Sequence, residues 1–156
     1  MALIKTQEEI EILREGGKRL ASILYEVEKK VKPGVRAEEL NDLAISLAEK
    51  CGGRPSFLNY KPEGNSGGYP AALCVSINDE VVHGLPFGKI FNEGDIVGLD
   101  FGLKYKGLYT DMAITVGAGR IDEKAENLIN IAKESLNKGI AVIRDGARVG
   151  DIGEAI

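Results

Sequence analysis

The stretch from Asp95 to Val116 constrains the fold most, because it reads as one tight β-hairpin with an aspartate near each end. It runs Asp95-Ile-Val-Gly-Leu-Asp-Phe-Gly, then Leu103-Lys-Tyr-Lys-Gly, then Leu108-Tyr-Thr-Asp-Met-Ala-Ile-Thr-Val116. A loop centred on Tyr105-Lys106 pairs Asp100 with Asp111. Directly opposed residues on one sheet face hold their Cβ atoms roughly 4.5–5.5 Å apart. Two like charges so placed repel unless a cation lies between them, and carboxylate oxygens are hard ligands suited to divalent metals. A second arrangement puts Gly107 in the left-handed position of a G1 bulge. The loop then has three residues, and a further bulge is needed to keep both carboxylates on one side. An isolated aspartate pair is more often two solvated turn or strand-end carboxylates, since aspartate favours turns. The neighbouring residues decide.

A chain of 156 residues suits one domain of ordinary size with a hydrophobic core. Its 28% charged and 44% hydrophobic residues are those of a soluble protein. The net charge is −4 and the basic residues are scattered among acids, so no basic stripe points to nucleic acid. No apolar run approaches the roughly 18–20 residues of a membrane span, and Met1-Ala-Leu-Ile-Lys-Thr6 lacks the apolar core of a secretory signal. Cys51 and Cys74 have no CxxC spacing, which disfavours a zinc knuckle or disulfide framework and fits a reducing cytosol. A cytoplasmic location is expected.

Thr6-Gln-Glu-Glu9 is a capping-box pattern, and behind it Ile10, Leu13, Leu20, Ile23, Leu24, Val27 and Val31 recur at helical spacing. Pro33-Gly34 ends this helix. A second helix starts near Ala37, with Leu40, Leu43, Ala44 and Leu47 inward and Gly52-Gly53 as its stop. The run Lys61-Pro-Glu-Gly-Asn-Ser-Gly-Gly68 is too rich in Gly and Pro to be anything but loop. Strand signals follow at Ala72–Ile77, at Val81-Val82 and in the hairpin arms. A third helix runs from Asp122, its N-cap, through Leu128, Ile131, Leu136 and Ile140 to Gly146.

Val31-Lys-Pro-Gly-Val-Arg-Ala-Glu-Glu-Leu40 matches Ile143-Arg-Asp-Gly-Ala-Arg-Val-Gly-Asp-Ile152 at most positions if like-for-like swaps count. If the match is a repeat, residues 1–120 are one helix–helix–sheet unit and 121–156 begin a second. A short helical stub has few packing partners, so the chain reads as a fragment.

The other stretch with chemistry is Tyr69-Pro-Ala-Ala-Leu-Cys-Val-Ser-Ile-Asn-Asp-Glu-Val-Val-His-Gly-Leu-Pro86. A strand carries Cys74, a polar turn follows at Asn78-Asp79, and a second short strand ends at His83. Gly84 removes a side chain beside the histidine and allows close approach by a ligand. A lone histidine is more often structural or superficial than functional, and a following Gly-x-Pro turn changes that only modestly.

The Val82-His-Gly-Leu-Pro86 block and the Gly94-Asp-Ile-Val-Gly-Leu-Asp100…Thr110-Asp111 block resemble the signature regions of the type I methionine aminopeptidases, metalloenzymes of the pita-bread fold. The resemblance covers the whole chain. It implies the first half of a pita-bread (creatinase/aminopeptidase) fold, an α+β architecture whose antiparallel sheet is covered by helices on one face. It also implies removal of the initiator methionine from nascent proteins. In that family two Asp, one His and two Glu hold two divalent ions, and a bridging water or hydroxide attacks the amide. Asp100 and Asp111 match the two aspartate ligands, Asp111 bridging both ions. His83 matches the histidine that contacts substrate and stabilises the transition state without ligating metal. Phe57, Tyr60, Tyr69 and Cys74 match the methionine side-chain pocket, although ordinary packing explains any one of them as well. The metal among Co, Mn, Fe, Zn and Ni is not distinguished.

The family's ligating His and two Glu lie in its second half and have no counterpart in these 156 residues, which contain a single histidine. Metal affinity depends on ligand count and charge, so weak or absent binding and little or no activity are expected of this chain alone. The 61–68 loop is longer than the family's usual link. Exposed apolar surface would favour self-association. An Xaa-Pro peptidase or creatine-hydrolysing relative is disfavoured by the short segment before the first helix. The alternative of another class is a non-catalytic pita-bread module that binds a partner protein.

Overall fold

Thr6 starts the first helix in the manner its side chain favours. Its Oγ1 accepts from the Glu9 N–H at 3.2 Å, and Glu9 Oε2 accepts from the Thr6 N–H at 2.8 Å. Helix α1 spans Gln7–Glu28 and buries Leu20, Ile23, Leu24 and Val27. The computed structural model describes residues 4–61 and 67–156. Of the expected loop at 61–68, residues 62–66 therefore lie outside the described residues. The chain divides into two units, Met1–Arg120 and Ile121–Ile156.

In the first unit the chain leaves α1 through a turn in which Gly34 takes φ +84°, a region that costs a glycine nothing. Helix α2, Ala37–Lys50, buries Ala37, Leu40, Asn41, Ala44 and Ala48. Leu43 and Leu47 are half-buried rather than central. Asn41 is the polar exception. Its Oδ1 accepts from the N–H groups of Ala72 at 2.9 Å and Leu73 at 3.3 Å, tying the helix to the strand beneath it. Asn41→Ala orphans these two buried donors, at about 1–3 kcal/mol. The melting temperature, followed by circular dichroism, is expected to fall by roughly 3–10 °C.

Among the described residues four strands make the sheet: β1 Arg54–Pro55, β2 Leu73–Ile77, β3 Ile96–Tyr105 and β4 Leu108–Gly117. All pairings are antiparallel, with β3 in the centre, β4 on one side and β2 and β1 on the other. Val97, Leu99, Phe101, Leu103 and Tyr105 alternate onto the buried face, where they join the apolar residues of α1 and α2. Leu73 and Val75 of β2 lie on the same face, as do Met112, Ile114 and Val116 of β4, which are half-buried. The opposite face of β3 carries Gly98, Asp100 and Gly102.

The hairpin departs from the expected registers. Tyr105 pairs with Leu108, so the loop is Lys106-Gly107, with φ +47° and +89°. Two successive positive φ values are what a two-residue type I′ turn demands. The β3–β4 ladder runs unbroken from Ile96↔Gly117 to Tyr105↔Leu108 without a bulge. Asp100 consequently faces Ala113, and Asp111 faces Gly102. Glu15 on α1 holds the turn: its carboxylate accepts from Arg19 at 2.6 Å, Tyr105 at 2.9 Å and Lys106 at 3.0 Å. Chiefly through Arg19, these bonds pull the Glu15 pKa down to about 2.

The expected strand at Val81-Val82 is absent. Both residues are exposed, and this segment is joined to β2 by bonds from Val75 N–H to Gly84 O at 2.8 Å and from Gly84 N–H to Ser76 Oγ at 3.2 Å.

In the second unit, Asp122 caps α3, Glu123–Ala141, by accepting from the Ala125 N–H at 2.7 Å. The helix stops five residues short of the expected Gly146. Helix α4, Val149–Ala155, packs close to Gly139, where an added Cβ would lie 3.0 Å from Ile156 Cγ1. Gly146 has φ +80°, similar in value to the +84° of Gly34, and Asp151 accepts from the Arg148 N–H at 2.9 Å as Glu39 does from Arg36 at 3.3 Å. The two segments that match in sequence share this local backbone.

Candidate metal centre

Asp100 and Asp111 project from the same sheet face as diagonal neighbours across the β3–β4 ladder. Diagonal positions lie roughly 7–8 Å apart, somewhat less between Cβ atoms. That spacing leaves room between the carboxylates for something positive. Gly102, the cross-strand partner of Asp111, makes this possible. A Cβ on Gly102 would collide with Ser56 Oγ and come within 2.9 Å of Phe57 Cε1 and 3.0 Å of Asp111 Oδ2. Gly102 was not singled out from sequence; the signal was a strand-interior glycine near a charged neighbour. Gly102→Ala is expected to push Asp111 aside and to destabilise the fold by about 1–3 kcal/mol. Thermal denaturation together with Mn(II) titration checks both effects.

The electrostatics are those of anions short of a counterion. Asp100 Oδ1 is buried and has no hydrogen-bond partner among the described residues. Burial, and then the charge of Asp111, push the Asp100 pKa above the ordinary carboxylate value, and His83 opposes them. Desolvation also raises the pKa of Asp111, the more exposed of the two. An orphaned carboxylate oxygen beside a second carboxylate fits a divalent cation, whose hard oxygen ligands these are.

On the other side of β3, Cys74 of β2 lies directly opposite Asp100. The Cys74 thiol is buried, and its Sγ is 3.9 Å from His83 Nδ1. Tyr69 donates its hydroxyl proton to this sulfur at 3.1 Å. Burial is the main force raising the Cys74 pKa, with Asp100 and Asp111 adding to it and Tyr69 opposing. His83 holds φ +57°, a backbone conformation uncommon for a residue other than glycine. Gly84 serves a different purpose from the one its position suggested. An added Cβ would collide with the Val75 carbonyl and lie 2.9 Å from Ser76 Cα, so the glycine admits the β2 backbone and not a ligand.

A cavity of about 560 Å³ opens beside this cluster, lined by Phe57, Tyr60, Tyr69, Cys74 and His83, with Gly67, Gly68 and Pro70. The structure thus brings the four expected pocket residues together with the histidine. Tyr60 is mostly exposed, at the rim. Bonds from Asn59 N–H to Tyr69 O at 2.8 Å and from Tyr69 N–H to Tyr60 O at 2.9 Å join the two sides of the loop base. The lining is predominantly aromatic and apolar, which suits a side chain of that character.

Known proteins share this arrangement of elements. A methionine aminopeptidase of Aquifex aeolicus is 47% identical over 152 residues, 97% of this chain and 59% of its own. Methionine aminopeptidase 1 of Bacillus subtilis is 36% identical over 156 residues, 60% of its length. The crystal structure of the Thermotoga maritima methionine aminopeptidase superposes with a TM-score of 0.93 at 42% identity, covering 100% of this chain and 61% of that one. Prolidase from Pyrococcus furiosus shares the fold alone, at 19% identity and a TM-score of 0.79. The antiparallel sheet with its helices is the pita-bread architecture. The chain spans about three-fifths of the length of the curated relatives it matches. The M24 model matches residues 11–156, and the chain belongs to metallopeptidase family M24.

Proposed function

We propose that residues 1–156 serve a metallo-exopeptidase that removes the N-terminal methionine of new proteins, with Asp100 and Asp111 as two of its metal ligands. The observation that carries this is the buried Asp100 Oδ1, unpartnered among the described residues, next to Asp111 and near Cys74 and His83 of the side-chain cavity. Bound there, two divalent ions would supply a water of lowered pKa and polarise the scissile carbonyl. The aspartates, fixed on paired strands, set the position of that charge. Phe57, Tyr60, Tyr69 and Cys74 receive the methionine side chain, each sulfur–aromatic contact contributing about 0.3–1.5 kcal/mol. His83 reaches the cavity from its rim and supplies a hydrogen bond to the substrate.

The matching turns at Gly34 and Gly146 support reading 1–120 as one pseudo-repeat unit and 121–156 as the beginning of another. Leu128, Ile131, Leu136 and Ile140 are exposed on α3, which supports self-association. A cytoplasmic location belongs to the same reading; none of the described helices is long and apolar enough to cross a membrane.

The protein translated from the entire reading frame containing these residues is to be given Mn(II) or Co(II) and the peptide Met-Ala-Ser. Free methionine supports the peptidase; none at metal saturation supports the partner-binding module instead. Residues 1–156 alone are expected to release little or none. Calorimetry should show them binding Mn(II) more weakly than about 1 μM, roughly −8 kcal/mol.

A further inference from the structure

We propose that Cys74, His83 and Asp100 form a position for one thiophilic cation, Zn(II) or Co(II), at the wall of the side-chain cavity, sharing Asp100 with the carboxylate pair. One ligand atom from each residue lies within 4.8 Å of the other two, and Asp111 is not part of this group. Three protein ligands with one open position is a common zinc arrangement. Zinc–sulfur and zinc–nitrogen bonds of about 2.3 and 2.0–2.1 Å, at a tetrahedral angle, separate S from N by about 3.6 Å. The observed 3.9 Å between Cys74 Sγ and His83 Nδ1 is a few tenths longer, within the reach of a side-chain rotation.

The three residues are held from different directions. Cys74 and Asp100 are directly paired on neighbouring strands. His83 is fixed by Gly84, whose backbone is bonded to β2 on both sides. Asp100 is common to both positions, and the remaining ligands distinguish this one from the carboxylate pair. Thiolate and imidazole favour zinc and cobalt, whereas two carboxylates favour manganese and magnesium. Binding breaks the Cys74 S–H bond; the sulfur keeps the electron pair for the metal and the proton passes to solvent. Cys74 and His83 also line the cavity, so an ion here fills part of the space assigned above to the methionine side chain. This inhibitory consequence rests on that reading, but the binding does not.

The metal-free 156-residue protein is titrated with Co(II), watching for thiolate-to-cobalt charge-transfer absorption in the near ultraviolet, and separately with Mn(II) by electron spin resonance. The expected result is a saturable band at one equivalent of cobalt, retained in Cys51→Ser and Asp111→Asn. It should be lost in Cys74→Ser and weakened at least about tenfold in His83→Gln, since even outer-shell partners matter by 10–100-fold. Far-ultraviolet circular dichroism confirms that each variant is folded. A band that survives Cys74→Ser, vanishes in Asp111→Asn or never appears in the folded wild type overturns the proposal. A cobalt band without any Mn(II) binding upholds it while removing support for the paired-aspartate centre; Mn(II) binding without the band does the reverse.

Discussion

Asp100→Asn is expected to remove what affinity the protein has for Mn(II) while making the metal-free chain harder to unfold. The two effects have one cause. Folding moves the Asp100 carboxylate into a partly desolvated place beside Asp111, so its pKa is higher in the folded state than in the unfolded chain. The stabilising contribution of such a group is fully present below the unfolded value and is lost as pH rises through the folded value. Once ionised, the pair therefore opposes folding. Neutralising Asp100 relieves first the desolvation of its charge and then the repulsion from its diagonal neighbour Asp111, a cross-strand effect of roughly 0.2–1 kcal/mol and a rise in melting temperature of about 1–4 °C. The gain should shrink as the pH is lowered toward the carboxylate range. Asp95→Asn is the opposite control. Its carboxylate accepts from the Asn92 N–H at 2.8 Å and from Asn78 Nδ2 at 2.9 Å, and these bonds, Asn92 first, hold its pKa low. Asp95 stabilises the fold above the ordinary carboxylate value and loses that contribution as pH falls through its folded value, so the asparagine variant melts lower at neutral pH. Thermal scans in chelator from pH 4 to 8 separate the two. An Asp100→Asn protein that melts below wild type at pH 7 would contradict the account of the site.

Gly84→Ala carries the largest expected loss of stability. The new methyl group would meet the Val75 carbonyl, with Ser76 Cα and Glu80 Oε2 each 2.9 Å away. Val75 and Ser76 belong to β2, which is paired with β3 along Leu73–Ile77, so the strand cannot recede without breaking its ladder. The 81–86 segment must lift instead, giving up the Val75–Gly84 bond and the Gly84–Ser76 bond. Overpacking typically costs about 1–3 kcal/mol, and each lost hydrogen bond adds about 0.5–1.5 kcal/mol. Together they lower the melting temperature by roughly 6–20 °C. His83 is carried away with the segment, so Cys74 loses its imidazole neighbour. A melting temperature within about 2 °C of wild type would show that the segment is not held by this approach.

The helices were legible because their ends are written in side-chain chemistry: Thr6 with Glu9 at one, Asp122 at another. The long strands were legible for the same kind of local reason. The hairpin register was not, because Lys106 takes a positive φ that nothing about lysine announces; Gly107 alone fitted two different loops. Val81-Val82 has strand composition but no ladder to join, since the glycine two residues after Val82 makes the bond to β2. The cavity residues come from three separate stretches, so only the family resemblance grouped Phe57, Tyr60, Tyr69 and Cys74 in advance. Their physical links stayed hidden. Neither the Tyr69–Cys74 bond nor the pairing of Cys74 with Asp100 leaves any trace in spacing along the chain.

The turn formed by Lys106 and Gly107 sets a parity rule for this ribbon. Moving the bend by one step along the chain displaces the facing partner of Asp100 by two, from Asp111 to Ala113, and an even displacement leaves both acids outward. Losing a single residue between Leu108 and Asp111 would instead point the second acid into the oily layer beneath the helices. Length changes in this arm should therefore be tolerated in twos and rejected singly.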